Sequence, residues 1–278
     1  MYIYQTLKWA SEELAQSCER PQFEAELLLA YHLNKDRTYL HAFETKEVEK
    51  LEAFKALVQR RANYEPYEYI VGEASFYDIE LKVEAGVLIP RPETEILIDL
   101  VAKIIEKEKL TKIAEVGVGS GAISIVLARK FPNLSITATD ICDTPLKVAK
   151  ANAKKYKVDT RVNIIKSNIL DEVQDELELV VSNPPYIAND FKLEKNVGEY
   201  EPKEALFGGR IGDELLKQIV LDVQAKGVKY LACEMGYDQK EPMTHFFNEI
   251  GVKYYKFYED LAGFDRGFLI EFEMEEKR

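Results

Sequence analysis

A chain of 278 residues is long enough for one large domain, or for a large one with a small companion. With 46% hydrophobic and 31% charged residues it has the make-up of a soluble globular protein, and no apolar run approaches the ~20 residues that span a membrane, so no membrane partner is expected. A net charge of −12 argues against direct nucleic-acid binding, which rests on basic surface, and favours a protein or small-molecule partner, slightly one that is itself basic.

The amino terminus, Met1 to Lys8, lacks the basic start and apolar core of a signal peptide. Cys18, Cys142 and Cys233 are odd in number and far apart, and His32, His41 and His245 are scattered. These residues suggest neither a disulfide framework nor a metal site, so the expectation is reduced thiols in a cytoplasmic protein. Residues 1–72 read as a small helical bundle. Ile3, Leu7, Ala10 and Leu14 fall on one helical face, and Pro21 suits the first turn of the next helix. Asp36 and Thr45 can each cap a following helix. The last helix carries Val48, Leu51, Phe54, Leu57 and Val58 inward and ends in Arg60-Arg61.

Residues 73–92 change period. Ser75 to Val83 alternates like a strand, Glu84-Ala85-Gly86 suits a turn, and Val87-Leu88-Ile89 suits a second strand, giving a β-hairpin between two domains. Pro90 to Glu95 is either a stiff linker with a helix start at Glu93 or Thr94, or a wall of a substrate pocket.

From Leu110 strands and helices alternate, which predicts a parallel α/β sheet. The predicted strands are Lys112–Val116, Ser135–Thr139, Val162–Lys166, Leu177–Ser182 and Lys229–Glu234; helices fall near 122–130, 144–156, 212–226 and 238–250. Val252–Tyr258 and Gly267–Glu273 read as an antiparallel hairpin closing one sheet edge.

After the first of these strands comes Gly117-Val118-Gly119-Ser120-Gly121. Glycines at alternate positions let main chain approach a ligand closely, and the following helix points free N–H groups at it. Asp140 closes the next strand, where a carboxylate can accept from both ribose hydroxyls; capping the next helix is the plainer role. Together these features point to an adenosine-containing cofactor.

Val180 to Tyr186 begins as a strand and stops at two prolines. Pro184 and Pro185 offer carbonyl oxygens and no N–H, and Pro184 pushes Asn183 into an extended conformation. The result is a stiff bracket of one amide oxygen, acceptor-only main chain and one aromatic ring, Tyr186. Two acceptors can hold both hydrogens of an –NH2 group and aim its nitrogen outward; the plainer alternative is a polar loop with a Pro-Pro turn. If Leu177–Ser182 lies beside Lys112–Val116, Asn183 and the glycine loop face one crevice. Methyl transfer from S-adenosyl-L-methionine onto nitrogen fits this pairing.

The glycine loop at 117–121, Asp140 and Asn183-Pro184-Pro185-Tyr186 resemble amino-methyltransferases acting on planar –NH2 groups. Gly86 to Glu95, Tyr200 to Gly209 and Asp260 to Arg266 closely resemble segments of the peptide chain release factor glutamine methyltransferases (PrmC/HemK), and the resemblance covers the whole chain. It implies a class I S-adenosylmethionine-dependent methyltransferase fold, Rossmann-like, with a mostly parallel seven-stranded sheet and an antiparallel edge hairpin. A helical release-factor-docking domain (1–72) and a β-hairpin linker (73–92) would precede the catalytic domain (93–278). The implied reaction is N5-methylation of the glutamine in the Gly-Gly-Gln loop of class I release factors, modulating translation termination, by a monomer. By resemblance, Asn183 and the Pro184 carbonyl hold the amide, Tyr186 packs near it, and Pro185 is a further substrate-binding residue. Gly117, Val118, Gly119, Ser120, Gly121, Asp140 and Asn183 border the cofactor, and Arg91 and Glu93 shape the pocket. Glu115 stands where the family often has Asp, Val118 where it often has Thr, and Asn168 where an acid near the adenine is common. Glu115 keeps a carboxylate for the cofactor's ammonium end, and Asn168 can still bond an adenine amino group. The competing readings are a nucleic-acid amino-methyltransferase using the bracket on a flipped base, and a dinucleotide-binding dehydrogenase or inactive binding module, which leaves the bracket without a role.

Overall fold

The computed structural model describes residues 1–273; residues 274–278, which the expected catalytic domain includes, lie outside the described residues. Two compact units result: Met1–Glu73 with Leu193–Tyr200, and Ala74–Lys192 with the chain from Glu201.

In the first unit α1 (Ile3–Leu14), α2 (Pro21–Leu33), α3 (Arg37–Ala42), α4 (Leu51–Ala62) and α5 (Tyr67–Val71) enclose an apolar core. Ile3, Leu7, Ala10 and Leu14 are all buried, as their helical spacing requires. Pro21 occupies the first turn of α2, where its missing N–H leaves no bond unmade. Asp36 caps α3, its Oδ1 accepting from the Tyr39 N–H at 2.7 Å. The cap expected at Thr45 does not form. The Lys46 carbonyl and the Val48 N–H bond the main chain of Ile3 and Met1, and α4 starts only after Lys50, which sits at φ 50°.

The second unit opens with β1 (Glu73–Phe76) and β2 (Ile79–Lys82), a two-stranded sheet. Its turn falls at Tyr77-Asp78; the expected turn at Glu84-Ala85-Gly86 also forms, the Val87 N–H bonding the Glu84 carbonyl at 3.1 Å, but the expected strand Val87-Leu88-Ile89 does not follow it. Tyr77 is held at φ 56° by two bonds to the following helix, α6 (Thr94–Glu108): its N–H donates to Glu95 Oε1 at 2.7 Å and its hydroxyl to Asp99 at 2.6 Å. Phe76, Ile79 and Leu81 enter the core that α6 also fills, so the segment expected as a linker takes part in this unit's packing.

β3 (Lys112–Val116), α7 (Ala122–Lys130), β4 (Ser135–Asp140), α8 (Asp143–Lys155), β5 (Val162–Lys166) and β6 (Leu179–Ser182) follow. The short strand β7 (Ile187–Ala188) comes next, then α9 (Lys195–Tyr200), which belongs to the helical unit. β8 (Phe207–Gly209), α10 (Glu214–Ala225), β9 (Tyr230–Glu234), α11 (Lys240–Glu249), β10 (Tyr254–Glu259) and β11 (Asp265–Glu271) complete the unit. Seven strands form one sheet in the order β10-β11-β9-β6-β3-β4-β5. The five from β9 to β5 are parallel; β11 runs antiparallel to β9, and β10 to β11. The expected mostly parallel sheet with an antiparallel edge hairpin is therefore present. Ile113, Val181 and Ala232 enter one core and Ala114, Val180 and Leu231 the other, the alternation of strands covered on both faces. Among the described residues no helix is long and apolar enough to cross a membrane.

Candidate active site

β3 and β6 pair with Val116 opposite Ser182, so Gly117 and Asn183 leave the sheet side by side. From β3 the chain steps to β4 and β5 on one side, while β6 and β9 lie on the other. Such a reversal opens a crevice beyond the carboxyl ends of the strands.

Two cavities meet there, sharing Leu88, Gly117, Gly119 and Asn183. The larger is also lined by Asp140, Asn168, Pro184, Pro185 and Glu204; the smaller by Arg91, Thr94, Glu115, Val118 and Ser120. Asp140 Oδ1 accepts from the Cys142 N–H (2.9 Å) and Oδ2 from the Gly119 N–H (3.2 Å), so the carboxylate ties the glycine loop to the end of β4. Burial nevertheless pushes its pKa up. Asn168 is exposed at the cavity rim, its Nδ2 donating to Asp171. Gly119 has open space where a Cβ would stand, as close ligand approach requires.

Other residues of the loop face inward. Val118 is buried in the core and its N–H bonds the Thr139 carbonyl. Ser120 is buried and its carbonyl accepts from Asn152 Nδ2. Gly121 lines neither cavity: a Cβ there would press on Ile125 and Ala149, so its bareness serves helix packing.

Glu115 is buried beside the start of α7, accepting from the N–H and hydroxyl of Ser124. Burial pushes its carboxyl up to about 8, with the charge of Asp140 adding to the shift. A carboxyl lifted by folding stabilises fully below its ordinary value of 4.5 and loses that contribution as pH rises through about 8. Cofactor-free melting curves should therefore fall between about pH 5 and about pH 8 for the native chain and flatten for Glu115→Gln. Parallel curves would show Glu115 ionised throughout.

Asn183 Nδ2 donates to Thr94 Oγ1 at 2.9 Å, Thr94 Oγ1 donates to Glu234 Oε2 at 2.7 Å, and the Tyr186 hydroxyl donates to Glu234 Oε1 at 3.1 Å. Thr94 and Glu234 are both buried. Among the described residues no donor reaches Asn183 Oδ1 or the Pro184 carbonyl, and both residues line the larger cavity. Tyr186, expected to pack beside the amide, lines neither cavity; its ring packs into the α10–α11 core and its carbonyl accepts from Gln239. Burial and the neighbouring Glu234 hold its hydroxyl protonated.

Arg91 pairs with Glu201, a buried carboxylate that also accepts the Ile89 N–H at 3.1 Å. Glu93 heads α6 without capping it and lines neither cavity; its charge acts on Glu234 and Arg266. Asp260 accepts from the N–H groups of Ala262 and Phe264 and from Arg266 Nε, which fixes the β10–β11 turn and sets Arg266 near Glu234.

Thr94, Glu201 and Glu234 were missed as site residues, although an acid ending a strand is the signal that singled out Asp140. Gly208 and Gly212 were missed too. β8 pairs with β7 directly behind the prolines, and a Cβ on Gly208 would strike the carbonyls of Pro185 and Gly212. On Gly212 it would strike the Tyr186 carbonyl.

Residues 5–72 match the family described as the PrmC N-terminal domain, and residues 92–200 the methyltransferase small domain. A release factor glutamine methyltransferase of Dictyoglomus turgidum is 40% identical over 235 residues, 83% of each chain. One of Clostridium botulinum is 38% identical over 257 residues, 88% of this chain and 90% of its own. Among solved structures, the hMettl16 catalytic domain in complex with MAT2A 3'UTR hairpin 6 has a TM-score of 0.58 at 18% identity, covering 69% of this chain and 76% of that one. The N-terminal domain of human METTL16 in complex with SAH has a TM-score of 0.51 at 19% identity, covering 68% and 74%. At such identities the likeness shows the fold alone.

Proposed function

This chain belongs to the release factor glutamine methyltransferase family, and on that premise we propose how its own residues serve the reaction. The enzyme methylates a release factor glutamine with S-adenosylmethionine as donor. When bound, the cofactor supplies an electrophilic methyl group on sulfur. Asp140 accepts from the ribose hydroxyls and Asn168 bonds the adenine edge from the cavity rim. Gly117 and Gly119 let main chain run close beneath the cofactor. Glu115 faces the smaller cavity, where a ligand ammonium would draw its carboxyl back to the ionised form.

The observation that carries the assignment of chemistry is the pair of unclaimed acceptors, Asn183 Oδ1 and the Pro184 carbonyl, on the cavity wall. A glutamine amide has two hydrogens, one for each acceptor. Held so, its nitrogen faces the methyl donor, and the two oxygens stabilise the positive charge that grows on nitrogen. Arg91, fixed by Glu201, shapes the entrance, and Pro185 completes the wall.

The glutamine is that of the Gly-Gly-Gln loop in class I release factors, and the helical unit docks the factor's body. The enzyme works as a monomer in the cytoplasm without touching nucleic acid, in keeping with its charge of −12. Incubation with radiolabelled methyl donor should label a purified release factor, and should not label one whose loop glutamine is changed to alanine. Label on RNA or DNA instead would favour base methylation.

A further inference from the structure

The Thr94 hydroxyl has one proton, and it goes to Glu234 Oε2. Toward Asn183 the same oxygen is therefore an acceptor, and it takes a hydrogen from Nδ2. An amide that gives its nitrogen to Thr94 must turn its oxygen elsewhere. The polarity of this chain is set at its far end, because Glu234 accepts at both oxygens, from Thr94 and from Tyr186, and a carboxylate cannot donate.

We infer that Glu234 is a positioning residue for methyl transfer, acting through the Thr94 hydroxyl to hold Asn183 with Oδ1, and not Nδ2, toward the substrate. This role presupposes that Asn183 receives the substrate amide. If Glu234 takes up a proton and donates it to Thr94, the hydroxyl is free to donate to Asn183, and the carboxamide turns over. Two –NH2 groups then face each other.

Groups from four elements surround Glu234. Thr94 and Glu93 lie at the head of α6, Tyr186 follows β6, Tyr258 is on β10 and Arg266 on β11. The Thr94 and Tyr186 hydroxyls and the Arg266 charge favour the carboxylate, while Glu93 and burial oppose it. Burial is the largest influence and pushes the carboxyl up to about 6.

The test follows kcat against pH at saturating cofactor and release factor, for the native enzyme, Thr94→Val and Thr94→Ser. Native kcat should fall as pH drops through about 6. Thr94→Val keeps the shape and deletes the hydroxyl. It should be about 10- to 100-fold slower near neutral pH and should lack the acid limb, since Glu234 no longer reaches Asn183. Calorimetry should show its S-adenosylhomocysteine affinity within about twofold of native. Thr94→Ser should restore both rate and limb.

A second measurement needs no turnover. The side-chain 15N signal of Asn183, identified by its loss in Asn183→Ala, should titrate with a midpoint near 6 in the native protein and not in Glu234→Gln. An acid limb that survives in Thr94→Val, or an Asn183 signal that does not titrate, would overturn the inference. A native enzyme that leaves release factors unmethylated, with the titration intact, would count against the proposed function alone.

Discussion

Asn183→Ala is expected to cut turnover on release factor by about 100-fold or more, with cofactor affinity nearly unchanged. The change removes one of two acceptors that meet the substrate's hydrogens, and with it the stabilisation of charge growing on nitrogen. A factor of 100 corresponds to about 2.7 kcal/mol of barrier, within the range seen when one preorganised partner is deleted from a catalytic site. The Pro184 carbonyl belongs to the main chain and survives the substitution, so activity should be crippled and not abolished. Little disturbance should spread, because the side chain's bond is to the Thr94 hydroxyl, which keeps Glu234 as its partner. Single-turnover kinetics would resolve the chemical step, and calorimetry the cofactor. Native-like turnover would mean that the amide is held by another group.

Asp140→Ala should act on the other half of the site, weakening S-adenosylhomocysteine binding by about 100-fold. Two causes add. The ribose loses a carboxylate acceptor, and hydrogen bonds to charged groups are worth about 1.5–3 kcal/mol each. The Gly119 and Cys142 N–H groups also lose their common partner, so the loop keeps only the bonds of Gly117 and Val118 to the Thr139 carbonyl and Gly119 is no longer held to the end of β4. Asp140→Asn keeps part of that tie and should fall between the two. Unchanged affinity in the alanine variant would take Asp140 off the ribose.

Local pattern carried most of the catalytic fold. β3 and β5 run as predicted, because β3 is a short, mostly buried run and β5, at the sheet edge, alternates buried and exposed positions, and neither signal needs knowledge of neighbours. The β1–β2 turn was hidden for the opposite reason. Alternation continues through Tyr77-Asp78, and the left-handed Tyr77 is held by Glu95 and Asp99, far along the chain. β7 and β8 are too short to show a period, and they exist because each supplies the other's partner.

At the site, the placement of Asn183, Pro184 and Asp140 on the crevice wall was legible because it follows from chain geometry: a strand end, a proline, a strand end again. Tyr186 was legible as an aromatic but not in its direction, which depends on Glu234. Thr94 read as a helix start, yet its hydroxyl goes across the molecule to Glu234 instead of back to its own helix. Groups that hold a reacting residue from behind are joined to it through space, and spacing along a chain does not reveal them.

Behind Pro185 and Tyr186 stands bare main chain, with Gly208 and Gly212 at van der Waals limits. A surface without side chains offers mutation nothing to trim or enlarge. Evolution can therefore remodel the rim through Arg91, Asn168 or Glu204, and can admit different docking bodies, while the reacting corner stays the same shape. Drift toward a bulkier nitrogen nucleophile would need the β7–β8 strap itself to be rebuilt, a change of length and path beyond the reach of single substitutions.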